Sequence, residues 1–302
     1  MITFLSGGTG TPRLIRGIRQ VIYDHEIAVV ANTADDLWIS GNHHAPDIET
    51  LMFLFAGILN TATWQGIRGD TFSTHRFLKR VAGDEWLAIG DKVRAVQIAR
   101  GEMLRSGMTP TEATRLQSTA LGIAARILPM TDTEITTFVE TDTGIMGIFE
   151  YCRAGLENPA IRRIVRAGEE EPVATPEVLS AIEESDAVII GPDNPVRSIL
   201  PIFDCAGIRE ALQDRFVIAV SPFRGDTTPD PTEAALMRAA GEEATSAGIW
   251  HLYREIADVF VQDIRDPEVV EGSLRLETRV WRDRNAESLA WDLMAVIRHA
   301  RR

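Results

Sequence analysis

The chain has 302 residues, 45% of them hydrophobic and 25% charged, with a formal net charge of -13 at pH 7. That length supports one extended α/β domain or two small ones, and the composition is that of a globular chain rather than a disordered one. The acidic balance opposes nonspecific nucleic-acid binding without excluding a local positive pocket. Its two cysteines, Cys152 and Cys205, exclude a disulfide framework or a cysteine-rich zinc site and leave a single disulfide open. The apolar opening, Met1 to Leu5, is too short for a signal peptide, and no apolar run reaches membrane-spanning length. A cytoplasmic protein with neither membrane nor nucleic-acid partners is expected.

An apolar strand over residues 1–5 runs into Ser6-Gly7-Gly8-Thr9-Gly10-Thr11-Pro12, after which Leu14, Ile15 and Ile18 begin a helical apolar face. A strand, a glycine turn and a helix N-terminus present backbone N–H groups to an anion. The spacing departs from G-x-G-x-x-G and lacks the G-K-[ST] of a Walker A loop, so an NAD site or an ATPase is poorly supported. Residues 27–31 read as a second buried strand ending at Asn32-Thr33-Ala34-Asp35-Asp36. The two strands flank a helix, which predicts a βαβ unit and a parallel sheet. Pro46-Asp47 leads into a buried helix over residues 51–56, placing Asp47 near its start as a cap or a metal ligand.

Residues 64–117 read as mainly helical, with Thr109-Pro110-Thr111-Glu112 resembling a helix start. Strands are predicted over 134–140 and 144–149, then a helix over 176–184 and strands over 186–190 and 216–220. Helices near 233–240 and 248–259, a strand over 259–263 and a terminal helix through Ile297 complete the chain. The expected fold is α/β and Rossmann-like: a mainly parallel sheet with helices on both faces. One unit would span residues 1–302, with a mainly helical insertion around 64–125.

Three loops require a joint interpretation: Gly7 to Thr11, Asp35-Asp36 with Asp47, and Gly191-Pro192-Asp193-Asn194-Pro195. Backbone donors in the first suit a diphosphate, and the carboxylates suit Mg²⁺, which binds oxygen and retains waters. Asn194 and Ser198 suit hydrogen bonds to a base, sugar or phosphate, and Arg197 adds a charge-assisted phosphate contact. Isolated Asn, Asp and Pro ordinarily mark turns; here they recur at successive strand ends. His43-His44 gives weak support to zinc, because consecutive side chains do not converge as a helical i,i+4 pair does.

Together these stretches closely resemble the 2-phospho-L-lactate transferase family of deazaflavin coenzyme F420 biosynthesis. The resemblance rests on Gly7 to Pro12, Asn32 to Gly41, Pro46-Asp47-Ile48-Glu49-Thr50 and Trp64 to Phe72. It continues through Gly90-Asp91, Leu128 to Asp132, Gly191 to Ile199 and Val220-Ser221-Pro222. It implies transfer of a phospholactyl-type group from a lactyl-, enolpyruvyl- or glyceryl-diphosphoguanosine donor to the terminal ribityl hydroxyl of the deazaflavin Fo, with release of GMP. It also implies Mg²⁺ held by Asp47, and a homodimer.

On that resemblance Asp35 and Asp36 support the metal or position a hydroxyl, and Gly7, Gly8, Thr9, Gly10 and Thr11 receive phosphates. Asn194 and Ser198 face the guanosine, while Thr71, Phe72, Gly90 and Asp91 shape the acceptor pocket. Phe72 is equally suited to stacking on the deazaflavin or to the core. Two departures stand out: Lys92-Val93 follows Gly90-Asp91 where an acidic residue is common, and residues 223–233 replace a glycine-rich loop. Arg224 in that replacement suits a positive charge beside the donor, and the altered loop suits equally a change in which donor is accepted. The other readings are a related nucleotide-conjugate transferase with another acceptor, and a non-catalytic nucleotide-sugar-binding regulator.

Overall fold

Strand β1 (Ile2–Ser6) is buried along its whole length, the pattern of a strand covered on both faces. A computed structural model describes residues 1–83, 85–155, 158–225, 227–280 and 283–300; Asp84, within the predicted helical stretch, and Asp226, within the substituted 223–233 loop, lie outside the described residues. After β1 come α1 (Gly10–Ile18), β2 (Ile27–Ala31), β3 (Leu37–Ile39), β4 (Asn42–His44) and α2 (Pro46–Phe55). Three helices follow: α3 (Ser73–Val81), α4 (Asp91–Arg105) and α5 (Pro110–Ala120). The middle of the chain holds β5 (Arg126–Pro129), β6 (Thr136–Thr141), β7 (Gly144–Gly147), α6 (Ile148–Ala154) and β8 (Ile161–Ala167). Next are α7 (Pro176–Glu183), β9 (Ala187–Ile190), α8 (Leu200–Phe203), α9 (Ile208–Gln213) and β10 (Val217–Val220). The chain finishes with α10 (Pro231–Ala239), α11 (Ser246–Tyr253), β11 (Val259–Asp263), β12 (Leu274–Leu276) and α12 (Asp283–Ala300).

The main sheet runs β12-β11-β10-β9-β1-β2-β5, and all its pairings are parallel. Successive side chains alternate between two cores, as strand geometry requires. Phe4, Val29, Ile189 and Ile218 pack with Leu14 and Ile18 of α1 and with α2 and α12. Leu5, Val30, Ile190 and Ala219 pack on the other face with α7 to α11. Each fully buried Leu, Ile or Phe contributes about 1.5–3 kcal/mol. Helices therefore cover both faces of a Rossmann-like sheet, and α3 to α5 fall between α2 and β5 in the chain.

Helix α5 starts where Thr-Pro-Thr-Glu predicts. The Glu112 amide donates to Thr109 Oγ1 at 3.2 Å and the Thr109 amide donates to the Glu112 carboxylate at 3.0 Å. One predicted strand is shorter than expected: β7 ends at Gly147, and residues 148–154 are helical instead of extending the strand to Phe149. Ile148 and Tyr151, three residues apart, both reach the core, a spacing that a helix satisfies and a strand does not. The β3–β4 hairpin turns through Ser40 and Gly41, with φ of 49° and 74°, the paired left-handed conformation of a tight two-residue turn. Both cysteines are free, with Cys205 buried. Among the described residues no helix is long and apolar enough to cross a membrane.

Candidate functional site

The chain leaves β1 toward β2 and β5, then returns to β9 on the other side of β1. The carboxyl ends of β1 and β9 thus flank a topological switch point, where open α/β sheets hold ligands. There the opening glycine turn meets the loop after β9. A Cβ at Gly10 would lie 2.0 Å from the Pro192 carbonyl oxygen, so only glycine permits this approach.

Asp193 fills the turn from within. Its carboxylate accepts from the amides of Gly7 (3.2 Å), Gly10 (2.7 Å) and Thr11 (3.2 Å), and from the Thr11 hydroxyl. Burial raises its pKa against these bonds. The Gly8 amide donates instead to Asp47 Oδ1 at 2.7 Å, and Asn32 Nδ2 donates to Asp47 Oδ2 at 3.1 Å. Asp47, in the first turn of α2, thus directs its carboxylate toward β1 and β2 rather than capping its own helix. Burial and the neighbouring Asp35 push the Asp47 carboxyl up to about 7, opposed by Arg197, Gly8 and Asn32.

Arg197 Nε donates to Asp35 Oδ2 at 2.5 Å. The other Asp35 oxygen is buried without a hydrogen-bond partner among the described residues. Asp36 is half-buried, its pKa raised well above the usual range by desolvation, and its Oδ1 has no hydrogen-bond partner among the described residues. His43 and His44 diverge, as neighbours on a strand do. His43 Nε2 lies 4.0 Å from Asp36, whereas His44 Nδ1 lies 3.1 Å from Glu49 Oε2. Glu49 also accepts from Arg100 Nη1 at 2.9 Å and Gln97 Nε2 at 3.1 Å. Burial opposes its ionisation, yet His44 and Arg100 hold its carboxyl down to about 2.

A cavity of about 900 Å³ opens between the sheet edge and the helical insertion. Gly8, Thr9, Gly10, Asp47, Asn194 and Ser198 line one side; Phe53, Phe72, Leu87, Ile89 and Gly90 contribute an apolar side. Among the described residues no group of three or more His, Cys, Asp or Glu side chains forms a metal cage. Asp47 nevertheless fits an open Mg²⁺ site, in which one or two carboxylates share the ion with waters and substrate phosphates. The unpartnered Asp35 oxygen and the burial-raised Asp47 carboxyl are the features that a nearby cation would relieve.

The sequence profile of the family described as 2-phospho-L-lactate transferase CofD matches residues 2–299. The chain belongs to this family. It is 52% identical over 299 residues to the 2-phospho-L-lactate transferase of Methanocorpusculum labreanum, covering 98% of each chain. Identity is 46% with that of Methanospirillum hungatei, over 97% of this chain and 99% of the relative. With that of Methanocaldococcus jannaschii it is 36%, over 90% and 88%. A solved structure of a UPF0052-family protein from Bacillus halodurans superposes with a TM-score of 0.59 at 18% identity, covering 89% of this chain and 82% of its own. That last likeness speaks for the fold.

Within this family member, the residues singled out from sequence separate into two groups. Gly8, Thr9, Gly10, Asp47, Phe72, Gly90, Asn194 and Ser198 line the cavity; Gly7, Thr11, Asp35, Asp36, Thr71 and Asp91 are not among its lining residues. Asp91 accepts from Thr71 Oγ1 (2.5 Å) and from the Ser73 and Thr74 amides (3.0 and 2.8 Å), which caps α3. Those bonds, with Thr71 first, hold its carboxyl far below the usual range. Asp70 caps α4 in turn, accepting from the Lys92 amide at 2.9 Å. Asn194 Oδ1 caps the π-helical turn at Pro195–Ile199. Sequence reasoning missed the reach of Asp193 into the glycine turn, and it missed Arg13. A cation in the first turn of α1 runs against the helix dipole, and that was the available signal.

Proposed function

We propose that the protein is a Mg²⁺-dependent transferase moving a phospholactyl-type group from a guanosine diphospho conjugate to the terminal ribityl hydroxyl of Fo. The donor acid is lactyl, enolpyruvyl or glyceryl. The observation that carries this reading is the single cavity joining Asp47 and the two switch-point loops to the apolar wall around Phe72. Family membership supports the same chemistry, as the relatives above are described as 2-phospho-L-lactate transferases.

The hydroxyl oxygen attacks the phosphorus bearing the organic acid, forming a phosphodiester. The bridging P–O bond breaks, GMP departs with the electron pair, and the hydroxyl proton is lost. Such a reaction needs alignment and charge neutralisation more than a covalent nucleophile. Mg²⁺, when bound, neutralises phosphoryl oxygens and the departing phosphate. Asp47 would hold it. Asp35 holds Arg197 at the cavity wall, while Asp36 lies beside His43. Asn194 and Ser198 lie on the guanosine side. Phe72 offers a flat face to the deazaflavin, while Thr71 and Asp91 brace the loop that carries it.

The test is incubation with Fo, Mg²⁺ and each guanosine diphospho donor, following GMP and the phosphodiester by mass spectrometry. Product with one donor supports the proposal and names the acid. Donor binding without product from any of them rejects it in favour of a nucleotide-conjugate-binding protein.

A further inference from the structure

The glycine turn has the form of a phosphate cradle, yet its amides already serve the chain's own carboxylates. Gly7, Gly10 and Thr11 donate to Asp193, and Gly8 donates to Asp47. Asp193 is only 4% exposed, so a phosphate in its place would have to expel a buried, multiply bonded carboxylate. Positive charge for an incoming anion therefore has to come from side chains.

Arg13, Arg16 and Arg224 gather beside the turn. Arg16 is anchored: its guanidinium lies 3.0 Å from Asp283 and donates to the Val280 carbonyl at 3.2 Å. Arg13 and Arg224 both line the cavity, and neither forms an ion pair or side-chain hydrogen bond with a described residue. Arg13 Nε is buried without a hydrogen-bond partner among the described residues. Trp64 fixes this arrangement from below. Its ring centroid lies 4.8 Å from Arg13 Cζ and 4.9 Å from Arg16 Cζ, and its backbone is held at φ 58°, a left-handed conformation that bulky residues rarely adopt.

Burial, then Arg224, then Arg16 make the Arg13 charge less favourable, with Asp193 opposing them. Glu233 feels Arg224 but does not pair with it, and its own pKa is raised by burial and by Asp230. Two neighbouring cations on the wall of a cavity, with no ion-paired carboxylate among the described residues, suit an anion that arrives from solution.

We propose that Arg13 and Arg224 form a two-pronged clamp for the diphosphate of the nucleotide conjugate, taking the role that the glycine turn would otherwise play. A diphosphate suits the site better than a lone carboxylate, because each planar guanidinium fork can take its own phosphoryl group. This assignment rests on the diphospho donor of the proposed function.

The probes are inorganic pyrophosphate and inorganic phosphate, titrated calorimetrically into the full chain with Mg²⁺ present. The unaltered protein binds pyrophosphate more tightly than phosphate. Arg13→Gln and Arg224→Gln each weaken pyrophosphate about tenfold or more, and Arg13→Lys retains part of the affinity. Undetectable pyrophosphate binding by the unaltered protein overturns the clamp. So does unchanged affinity in the folded variants, checked by circular dichroism. If Arg13→Gln does not fold, Arg224→Gln decides alone, because Arg224 lies outside any helix or strand. Arginine-dependent pyrophosphate binding in a protein that transfers from no guanosine donor retains the clamp and rejects only the transferase reading. Normal transfer with an unaltered donor KM in Arg224→Gln does the reverse.

Discussion

The two sides of the cavity are held by opposite means. On the sheet side, the turn after β1 and the loop after β9 interlock through buried hydrogen bonds that converge on Asp193 and Asp47. On the helical side, α3 has no buried residue, and Phe72, Phe77 and Val81 are exposed. Behind α3 that wall is held by the Arg100–Glu49 ion pair and by Ile89 and Val93, which are buried in the core. The sheet thus fixes the groups suited to phosphate chemistry, while the covering wall is free to vary in shape without disturbing them.

The largest expected effect attacks the interlocked side. Asp193→Ala strips the acceptor from three amides and a hydroxyl, and should cost about 4 kcal/mol in urea denaturation. A loss below about 1 kcal/mol would mean that water replaces the carboxylate and that the interlock is dispensable. Asp47→Ala should lower turnover about 10²–10³-fold at saturating donor and acceptor in a protein that still folds; near-normal turnover removes its assigned metal role.

On the helical side, Arg100→Ala leaves the Glu49 carboxylate buried without its guanidinium. It should cost about 3 kcal/mol by the same denaturation measurement. Equality with an exposed-site control would show that the wall is not anchored there. The smallest effect is Phe77→Ser, on the exposed face of α3: a change in stability within about 0.5 kcal/mol. A larger loss would mean that this helix is packed in solution, and the contrast between the two sides would weaken.

Much of the sheet was legible because its strands are continuous apolar runs: residues 27–31 and 259–263 coincide with β2 and β11. The strands that escaped notice lack that pattern. β3 and β4 have only three residues each, and β8, Ile-Arg-Arg-Ile-Val-Arg-Ala, is an edge strand whose arginines obscure any alternation. β5 ends in Pro129 at the sheet edge. In the site, the glycine turn, Asp47 and the Gly-Pro-Asp-Asn-Pro loop could each be read as local signals. Their partners could not. Nothing local to Asp193 indicates that it accepts from Gly10, and nothing near Asp91 indicates that it caps a helix beginning at Ser73. Long-range hydrogen bonds depend on topology, which periodicity does not report.

The carboxylate that closes the opening turn lies 183 residues downstream of the Gly10 amide it accepts. A chain still emerging from the ribosome therefore has β1, β2 and the turn long before it has Asp193, and those amides remain in water until β9 docks beside β1. Completion of the pocket is coupled to completion of the sheet. A fragment truncated before β9 would lack the carboxylate that closes the opening turn, however well its first strands pair.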